Sequence, residues 1–162
     1  MKLNHSLVAL RYGVALAMVV SVTATPVLGQ QANFGTLRLS PGFNQSQGTV
    51  TGYTGGSYSL SAIANRDRNK KPCIGFADPT PDHIMVLEKD FSSLTVQVNS
   101  NGYDTTLLIQ GPNNTMVRCG DDSGSSKDAS ISDNKWESGT YRIWVGGVNP
   151  GQKRNYTLTV RE

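Results

Sequence analysis

The chain has 162 residues, with 15 Lys and Arg against 12 Asp and Glu, and a formal net charge of +3 at pH 7. Two of the basic residues, Lys2 and Arg11, lie within residues 1–29, so the rest of the chain carries only +1. This near balance, without a strongly basic face interleaved with aromatics, argues against nucleic-acid binding, and the remaining ~130 residues are enough for one domain.

Residues 1–29 have the three parts of a secretory signal peptide. Lys2 and Arg11 precede an apolar run at residues 12–22, and a short stretch with small residues follows. The apolar run is about 11 residues long, whereas a membrane-spanning helix needs about 20. We therefore expect cleavage before Gln30, export to the periplasm or the extracellular space, and no membrane span afterwards. A retained N-terminal anchor is the alternative.

The exported part reads as a series of short strands. Residues 30–35 are polar and predicted to be flexible, and residues 36–162 are predicted to form one domain in which apolar and polar side chains alternate with the period of a half-buried strand. We predict an all-β fold, a jelly-roll-like antiparallel β-sandwich of eight or nine strands, with a closed barrel as the competing architecture. The predicted strands are 36–40, 49–53, 58–63, 83–87, 94–98, 104–112, 116–122, 140–145 and 156–160.

Two longer segments are predicted to be loops. Residues 65–81 are polar and interrupted by prolines, and four basic residues fall between positions 66 and 71. We interpret this basic cluster as a solvated loop, with contact to an anionic polymer or membrane surface as the alternative. Residues 123–130 are rich in Ser and Gly and predict a second loop.

The exported part contains two cysteines, Cys73 and Cys119. In an oxidising compartment an even pair is most simply interpreted as a disulfide. Closing a loop of about 46 residues would stabilise the fold by roughly 4 kcal/mol in the chain-entropy treatment. Two separate buried thiols are the alternative.

Four short motifs resemble the bacterial pre-peptidase C-terminal domain. They are Asp104-Thr105-Thr106-Leu107, Cys119-Gly120-Asp121-Asp122, Gly139-Thr140-Tyr141-Arg142-Ile143-Trp144-Val145 and Tyr156-Thr157-Leu158. The resemblance covers residues 82–162, and the upstream part looks like an extension seen in small exported cyanobacterial proteins of this type. It implies a jelly-roll-like sandwich that is usually appended to secreted peptidases and that in some members binds matrix polymers or calcium.

Acidic residues at the ends of predicted strands suggest a calcium site. Asp104, Asp121 and Asp122 would meet at one end of the sheet, and Asp128 in the following loop could complete a shell of oxygen ligands, since Ca²⁺ takes about six to eight. Their spacing does not follow the EF-hand pattern. Because Asp also caps turns through backbone amides, structural capping is the alternative.

Two residues of the predicted strand 140–145 are candidates for ligand binding. Trp144 alternates with apolar neighbours and lies beside Arg142, which predicts an exposed aromatic ring with an adjacent cation. Packing in a core or on a sheet face is the alternative, because sandwiches use aromatic residues in this way routinely.

We predict no catalytic residues. His83, Asp104 and Ser123 occur in the chain order of one class of serine protease, but a triad is defined by geometry and ~130 residues cannot hold the two barrels of that class. We expect a non-enzymatic exported module that binds a polysaccharide or protein matrix of the cell envelope. The alternative is a calcium-dependent accessory or chaperone-like partner of a secreted peptidase.

Overall fold

A computed structural model describes residues 31–114 and 116–162, so the predicted signal peptide lies outside the described residues. These residues contain a short 3-10 helix at Leu60–Ala62 and eleven strands. Within the described ranges no helix is long and apolar enough to cross a membrane. The strands are β1 Gly35–Leu39, β2 Thr49–Tyr53, β3 Tyr58–Ser59, β4 Phe76–Ala77, β5 His83–Leu87, β6 Phe91–Asn99, β7 Thr105–Gln110, β8 Val117–Ser123, β9 Ser126–Trp136, β10 Gly139–Gly147 and β11 Asn155–Arg161.

Nine strands form one hydrogen-bonded path in the order β1-β5-β10-β7-β8-β9-β6-β11-β2, and β3 and β4 lie off this path. The path folds into two layers because β8 changes partner along its length. Residues 117–120 pair with β7, and the register shifts where residues 121–123 pair with β9. We call β1, β5, β10 and β7 the first sheet, and β9, β6, β11 and β2 the second sheet.

The two ends of the path, β1 and β2, contact each other, so the sandwich is nearly closed into a barrel. The predicted all-β sandwich is confirmed, although one pair of strands, β1 and β5, is parallel. Alternating side chains of both sheets fill the space between the layers. This inner core contains Leu37, Leu39, Met85, Leu87, Leu94, Val96, Val98, Leu107, Ile109, Ile131, Tyr141, Ile143, Val145, Tyr156, Leu158 and Val160.

A second apolar cluster covers the outer face of the first sheet. There Leu108 and Trp144 pack under the segment of residues 60–77. The predicted disulfide between Cys73 and Cys119 is confirmed, with Cα atoms 5.3 Å apart, and it links this segment to β8. We call these buried side chains the outer cluster: Leu60, Cys73, Ala77, Leu108, Val117, Cys119 and Trp144.

Three of the predicted element assignments are wrong, and the first is the loop predicted at 65–81, which contains β4, Phe76–Ala77. The Ser- and Gly-rich segment at 123–130 is not a loop, because most of it belongs to β9, the longest strand. The outward residues of this part of β9 are polar, while Ala129 and Ile131 are buried. The high content of Ser and Gly therefore obscured the alternation that is typical of a strand. The predicted strand 58–63 ends after Ser59, where the 3-10 helix turns Leu60 into the outer cluster.

Candidate functional site

Three aspartates meet where β7 begins and β8 leaves the first sheet. One carboxylate oxygen from each of Asp104, Asp121 and Asp122 lies within 4.8 Å of the other two. Burial raises the pKa of Asp121, and the carboxylates of Asp122 and Asp104 raise it further. Lys127 Nζ lies 3.3 Å from Asp104 Oδ2 and compensates part of this charge. Three hard oxygen donors fit Ca²⁺, and these residues would hold the ion.

The fourth predicted ligand, Asp128, is not part of this group. Its carboxylate accepts hydrogen bonds from the backbone N–H of Ser100, at 2.7 Å, and from the Ser100 hydroxyl. It also accepts a hydrogen bond from the hydroxyl of Ser126. Asp128 therefore holds the turn after β6 against the start of β9, which is the capping role that aspartate commonly has.

The expectation that Trp144 lies on the surface is wrong. Its side chain is only 4% exposed and belongs to the outer cluster, and its indole N–H donates to the carbonyl of Pro79 at 3.3 Å. The guanidinium carbon of Arg142 lies 6.0 Å from the centre of the Trp144 ring, and Arg142 Nη2 donates to Gln110 Oε1 at 2.8 Å. The alternation placed Trp144 correctly on the outer face of the first sheet. The covering segment at residues 60–77 could not be foreseen from that strand alone.

His83 is buried beside Tyr156. Its Nε2 atom is 2.9 Å from the Tyr156 hydroxyl, and its Nδ1 atom has no hydrogen-bond partner within the described part of the chain. Burial lowers the pKa of His83 to about 4. Ser123, the residue that shared the His, Asp, Ser order, donates instead to the backbone carbonyl of Asp128 at 3.0 Å. The structure thus pairs His83 with a tyrosine and Ser123 with the backbone.

Asp82, which the sequence did not single out, is a second buried titratable group. One carboxylate oxygen accepts the backbone N–H of Val145 at 2.7 Å, and the other is 3.5 Å from the side-chain amide of Asn33. Burial, opposed by these hydrogen bonds, raises the pKa of Asp82 to about 7. No sequence motif marks this residue. It is buried because it directly precedes β5, beside β10, and because Asn33 packs against it.

The outer surface of the second sheet is polar and nearly uncharged. Along β11, Tyr156, Leu158 and Val160 point into the core, and the alternate side chains are exposed or half-buried. The same alternation occurs in most of β6 and in residues 128–132 of β9, and in β2 the half-buried Val50 packs against the core. We call the outward hydroxyl and amide side chains the polar face: Thr49, Thr51, Thr95, Gln97, Asn99, Ser130, Ser132, Asn155, Thr157 and Thr159.

One end of the polar face forms a cleft of about 570 Å³. One of its lining residues, Gly52, packs so closely against Phe34 and Tyr156 that no side chain fits there. A Cβ atom there would lie 2.6 Å from the Tyr156 hydroxyl and 2.7 Å from Cδ2 of Phe34, which is closer than unstrained packing allows. We call this the Tyr53 cleft; it is lined by Phe34, Thr51, Gly52, Tyr53, Asn99, Asn101, Asn155, Tyr156 and Thr157.

Two cations, Lys153 and Arg154, directly precede Asn155, a lining residue of the Tyr53 cleft. Lys153 Nζ is 3.8 Å from the centre of the Tyr53 ring, and the Arg154 guanidinium is 4.2 Å from the centre of the Tyr103 ring. Both tyrosines are more than two-fifths exposed. The sequence offered one signal for this site, the runs of Thr and Asn at outward strand positions, but it did not show that the runs adjoin.

Comparison with known proteins gives structural similarities alone. No family model matches the chain, and no curated protein matches it significantly. The pre-peptidase C-terminal domain of a collagenase from Bacillus anthracis is 13% identical, with a TM-score of 0.44, covering 78% of this chain and 94% of that one. The surface-associated copper-binding protein CorA of Methylomicrobium album BG8 is 10% identical, with a TM-score of 0.43, covering 78% and 98%.

Proposed function

We propose that this protein is a non-enzymatic, exported binding module of the periplasm or cell envelope that binds polysaccharide through the polar face. The observation that carries the proposal is the composition of that face. Its outward side chains are mainly hydroxyls and amides on four adjacent strands, and within the described residues of those strands the charged side chains are confined to β9 and to the last residue of β11.

The strand register arranges these groups in rows across the sheet. Thr157 lies opposite Thr51 on one side and Asn99 on the other, and Thr159 lies opposite Thr49 and Gln97 in the same way. Neighbouring strands are about 4.8 Å apart, so each row presents donors and acceptors at regular intervals. Sugar hydroxyls both donate and accept hydrogen bonds, and a surface of Thr, Asn and Gln side chains offers both kinds of partner.

The titratable groups favour binding over catalysis. General acid–base catalysis needs a group within hydrogen-bond reach of the substrate and a pKa near the working pH. His83 is fully buried and bonded to Tyr156, and Asp82 is buried and bonded to the backbone of Val145. Neither the Asp82 carboxyl nor the His83 imidazole lies on the polar face.

An exported location is supported by the disulfide together with the predicted signal peptide. Disulfides persist in oxidising compartments and are rare in the cytosol. The bond between Cys73 and Cys119 holds a long covering segment over the first sheet. The second sheet is left as the open face of the sandwich.

The experiment is retention of residues 30–162 on insoluble cellulose, chitin, peptidoglycan and a collagen-like matrix. We expect retention on at least one polysaccharide, and a roughly thirtyfold loss of affinity in the double variant Thr51→Val/Thr157→Val, since two hydrogen bonds of about 1 kcal/mol each are removed. The control Thr36→Val removes an exposed hydroxyl from β1 and should bind normally. Retention on none of the polysaccharides contradicts the proposal.

The acidic group of Asp104, Asp121 and Asp122 favours a second candidate function, a calcium-dependent accessory or chaperone-like partner of a secreted peptidase. Such a partner should co-purify with a peptidase from the native envelope when calcium is present and separate from it in chelator. A polysaccharide-binding module should instead be retained on its polymer in both conditions.

A further inference from the structure

The Tyr53 cleft differs from the rest of the polar face in its electrostatics. No Asp or Glu occurs among its described lining residues. Lys153 and Arg154, which directly precede the lining residue Asn155, are both exposed, and neither forms an ion pair with a carboxylate in the described ranges. The cleft therefore combines uncharged hydrogen-bonding groups with two nearby cations that form no ion pair in the described ranges.

We propose that the Tyr53 cleft binds a carboxylated sugar of an acidic polysaccharide, with Lys153 and Arg154 recognising the sugar carboxylate. This inference rests on the proposed function and names the chemical class of its ligand.

The two cation–π contacts fix where positive charge is available. Lys153 lies over the ring of Tyr53, which itself lines the cleft, and Arg154 lies over Tyr103, two residues beyond the lining residue Asn101. A cation over an exposed ring gains about 0.5–1 kcal/mol, so each side chain is positioned while its charge stays accessible. Carboxylates form their strongest hydrogen bonds with such charged donors.

The lining suits the uncharged part of a sugar. Asn99, Asn101 and Asn155 supply amides, and Thr51 and Thr157 supply hydroxyls, around the aromatic floor. The backbone N–H of Asn101 donates to Asn99 Oδ1 at 3.1 Å, which fixes the turn that carries Asn101. The volume of about 570 Å³ falls within the range of roughly 300–1,000 Å³ usual for small-ligand sites, which is enough for a short oligosaccharide segment.

Neighbouring acidic groups limit where a carboxylate could bind. Asp78 and Asp82 line a smaller adjoining cavity of about 230 Å³, which shares Phe34 and Tyr53 with the cleft. A ligand carboxylate would be repelled on that side by the Asp78 carboxylate, and Asp82, whose pKa burial raises to about 7, would add to this repulsion only above that pH. It would therefore be placed toward Asn155, where Lys153 and Arg154 precede β11.

The probe is an oligosaccharide of four α-1,4-linked galacturonic acid units, compared by calorimetric titration with its fully methyl-esterified form. The two ligands share sugars and linkages and differ in charge. We expect the acid to bind at least tenfold more tightly than the ester, and to lose most of this advantage between 50 and 500 mM salt, where the Debye length falls from ~14 to ~4 Å.

Two variants identify the groups responsible. The double variant Lys153→Gln/Arg154→Gln should bind acid and ester equally, whereas the control Arg38→Gln/Lys89→Gln removes two exposed cations elsewhere and should retain the preference. Asn155→Asp keeps both cations and adds a carboxylate to the cleft, so it should weaken binding of the acid more than binding of the ester.

The outcomes separate this inference from the proposed function. Equal binding of acid and ester by the unmodified protein overturns the inference and leaves polysaccharide binding standing. Binding of neither ligand, together with no retention on any polysaccharide, overturns both. Equally strong binding of phosphatidylglycerol vesicles that is lost in the same double variant would indicate recognition of an anionic surface and would also overturn the inference.

Discussion

Asp82 and His83 are adjacent in the chain, both are buried, and burial moves their pKa values in opposite directions. The pKa of Asp82 rises from 3.8 to about 7, and the pKa of His83 falls from 6.5 to about 4. Burial disfavours the charged form of each group, so both side chains are neutral in the folded protein across the same range of mildly acidic pH.

The contributions of Asp82 and His83 to the pH dependence of the free energy of unfolding should largely cancel. The folded state holds the Asp82 proton up to about pH 7, so the stability linked to it is complete below pH 3.8 and is lost as the pH rises toward 7. The unfolded state binds the His83 proton more readily, so the stability linked to His83 is complete above pH 6.5 and is lost as the pH falls toward 4. Between pH 4 and 6.5 these two slopes oppose each other.

Replacing either residue alone should reveal the pH dependence of stability that the other residue causes. In Asp82→Asn the free energy of unfolding should increase by about 3 kcal/mol from pH 4 to 6.5, and in His83→Gln it should decrease by a similar amount. Urea unfolding at several pH values measures both. If the free energy of unfolding of both variants depended on pH as that of the unmodified protein does, the pair would not titrate in this way.

Arg118 should be far more important for stability than a surface arginine. Its side chain is 1% exposed, its guanidinium lies 3.8 Å from the centre of the Trp136 ring, and its Nε donates to Asp133 at 2.8 Å. Arg118→Met should lower the free energy of unfolding by about 3 kcal/mol, because it removes the buried cation paired with Asp133 and leaves that carboxylate with the weaker contact to Arg68 and the backbone N–H of Asn134. The control Arg38→Met, at an exposed position, should change it by less than about 0.5 kcal/mol.

Gly52→Ala should destabilise the cleft floor. The added Cβ would be 2.6 Å from the Tyr156 hydroxyl, and overpacking of this kind costs about 1–3 kcal/mol. Gly55→Ala is the matched control, since its Cβ would meet nothing within 4 Å. Thermal unfolding of both variants tests the prediction, which would be contradicted by equal melting temperatures.

Removal of the disulfide should loosen the cover of the first sheet. Cys73→Ala/Cys119→Ala opens a loop with a sequence separation of 46 and should cost up to about 4 kcal/mol. Because Trp144 is covered by the same segment, its fluorescence in a Trp136→Phe background should shift toward that of an exposed indole. An unchanged free energy of unfolding in guanidinium would contradict the prediction.

Calcium should stabilise chelator-stripped protein if the three aspartates hold an ion. A concentration one hundred times the Kd would add about 2.7 kcal/mol to the free energy of unfolding. Asp121→Asn should abolish this gain, whereas Glu137→Gln, at an exposed position outside the acidic group, should not. No change in melting temperature and no heat on titration would argue against a calcium site.

The amino-acid sequence by itself determined the fold class, most of the strands and the disulfide. Alternation of apolar and polar residues follows from strand geometry, so Leu158 and Val160 identified the core face of β11 without knowledge of its neighbours. It failed for β9, where polar residues dominate and only Ala129, Ile131 and the terminal Trp136 are buried.

Only the tertiary structure decided which outward faces reach solvent. Trp144 and Thr157 both occupy outward strand positions, yet the segment at residues 60–77 covers Trp144 while Thr157 stays on the polar face. Alternation fixes the side of the sheet to which a residue points, and it carries no information about a distant segment that packs there. The same reason explains the Tyr53 cleft, which forms where β2, β6 and β11 adjoin although they are far apart in the chain.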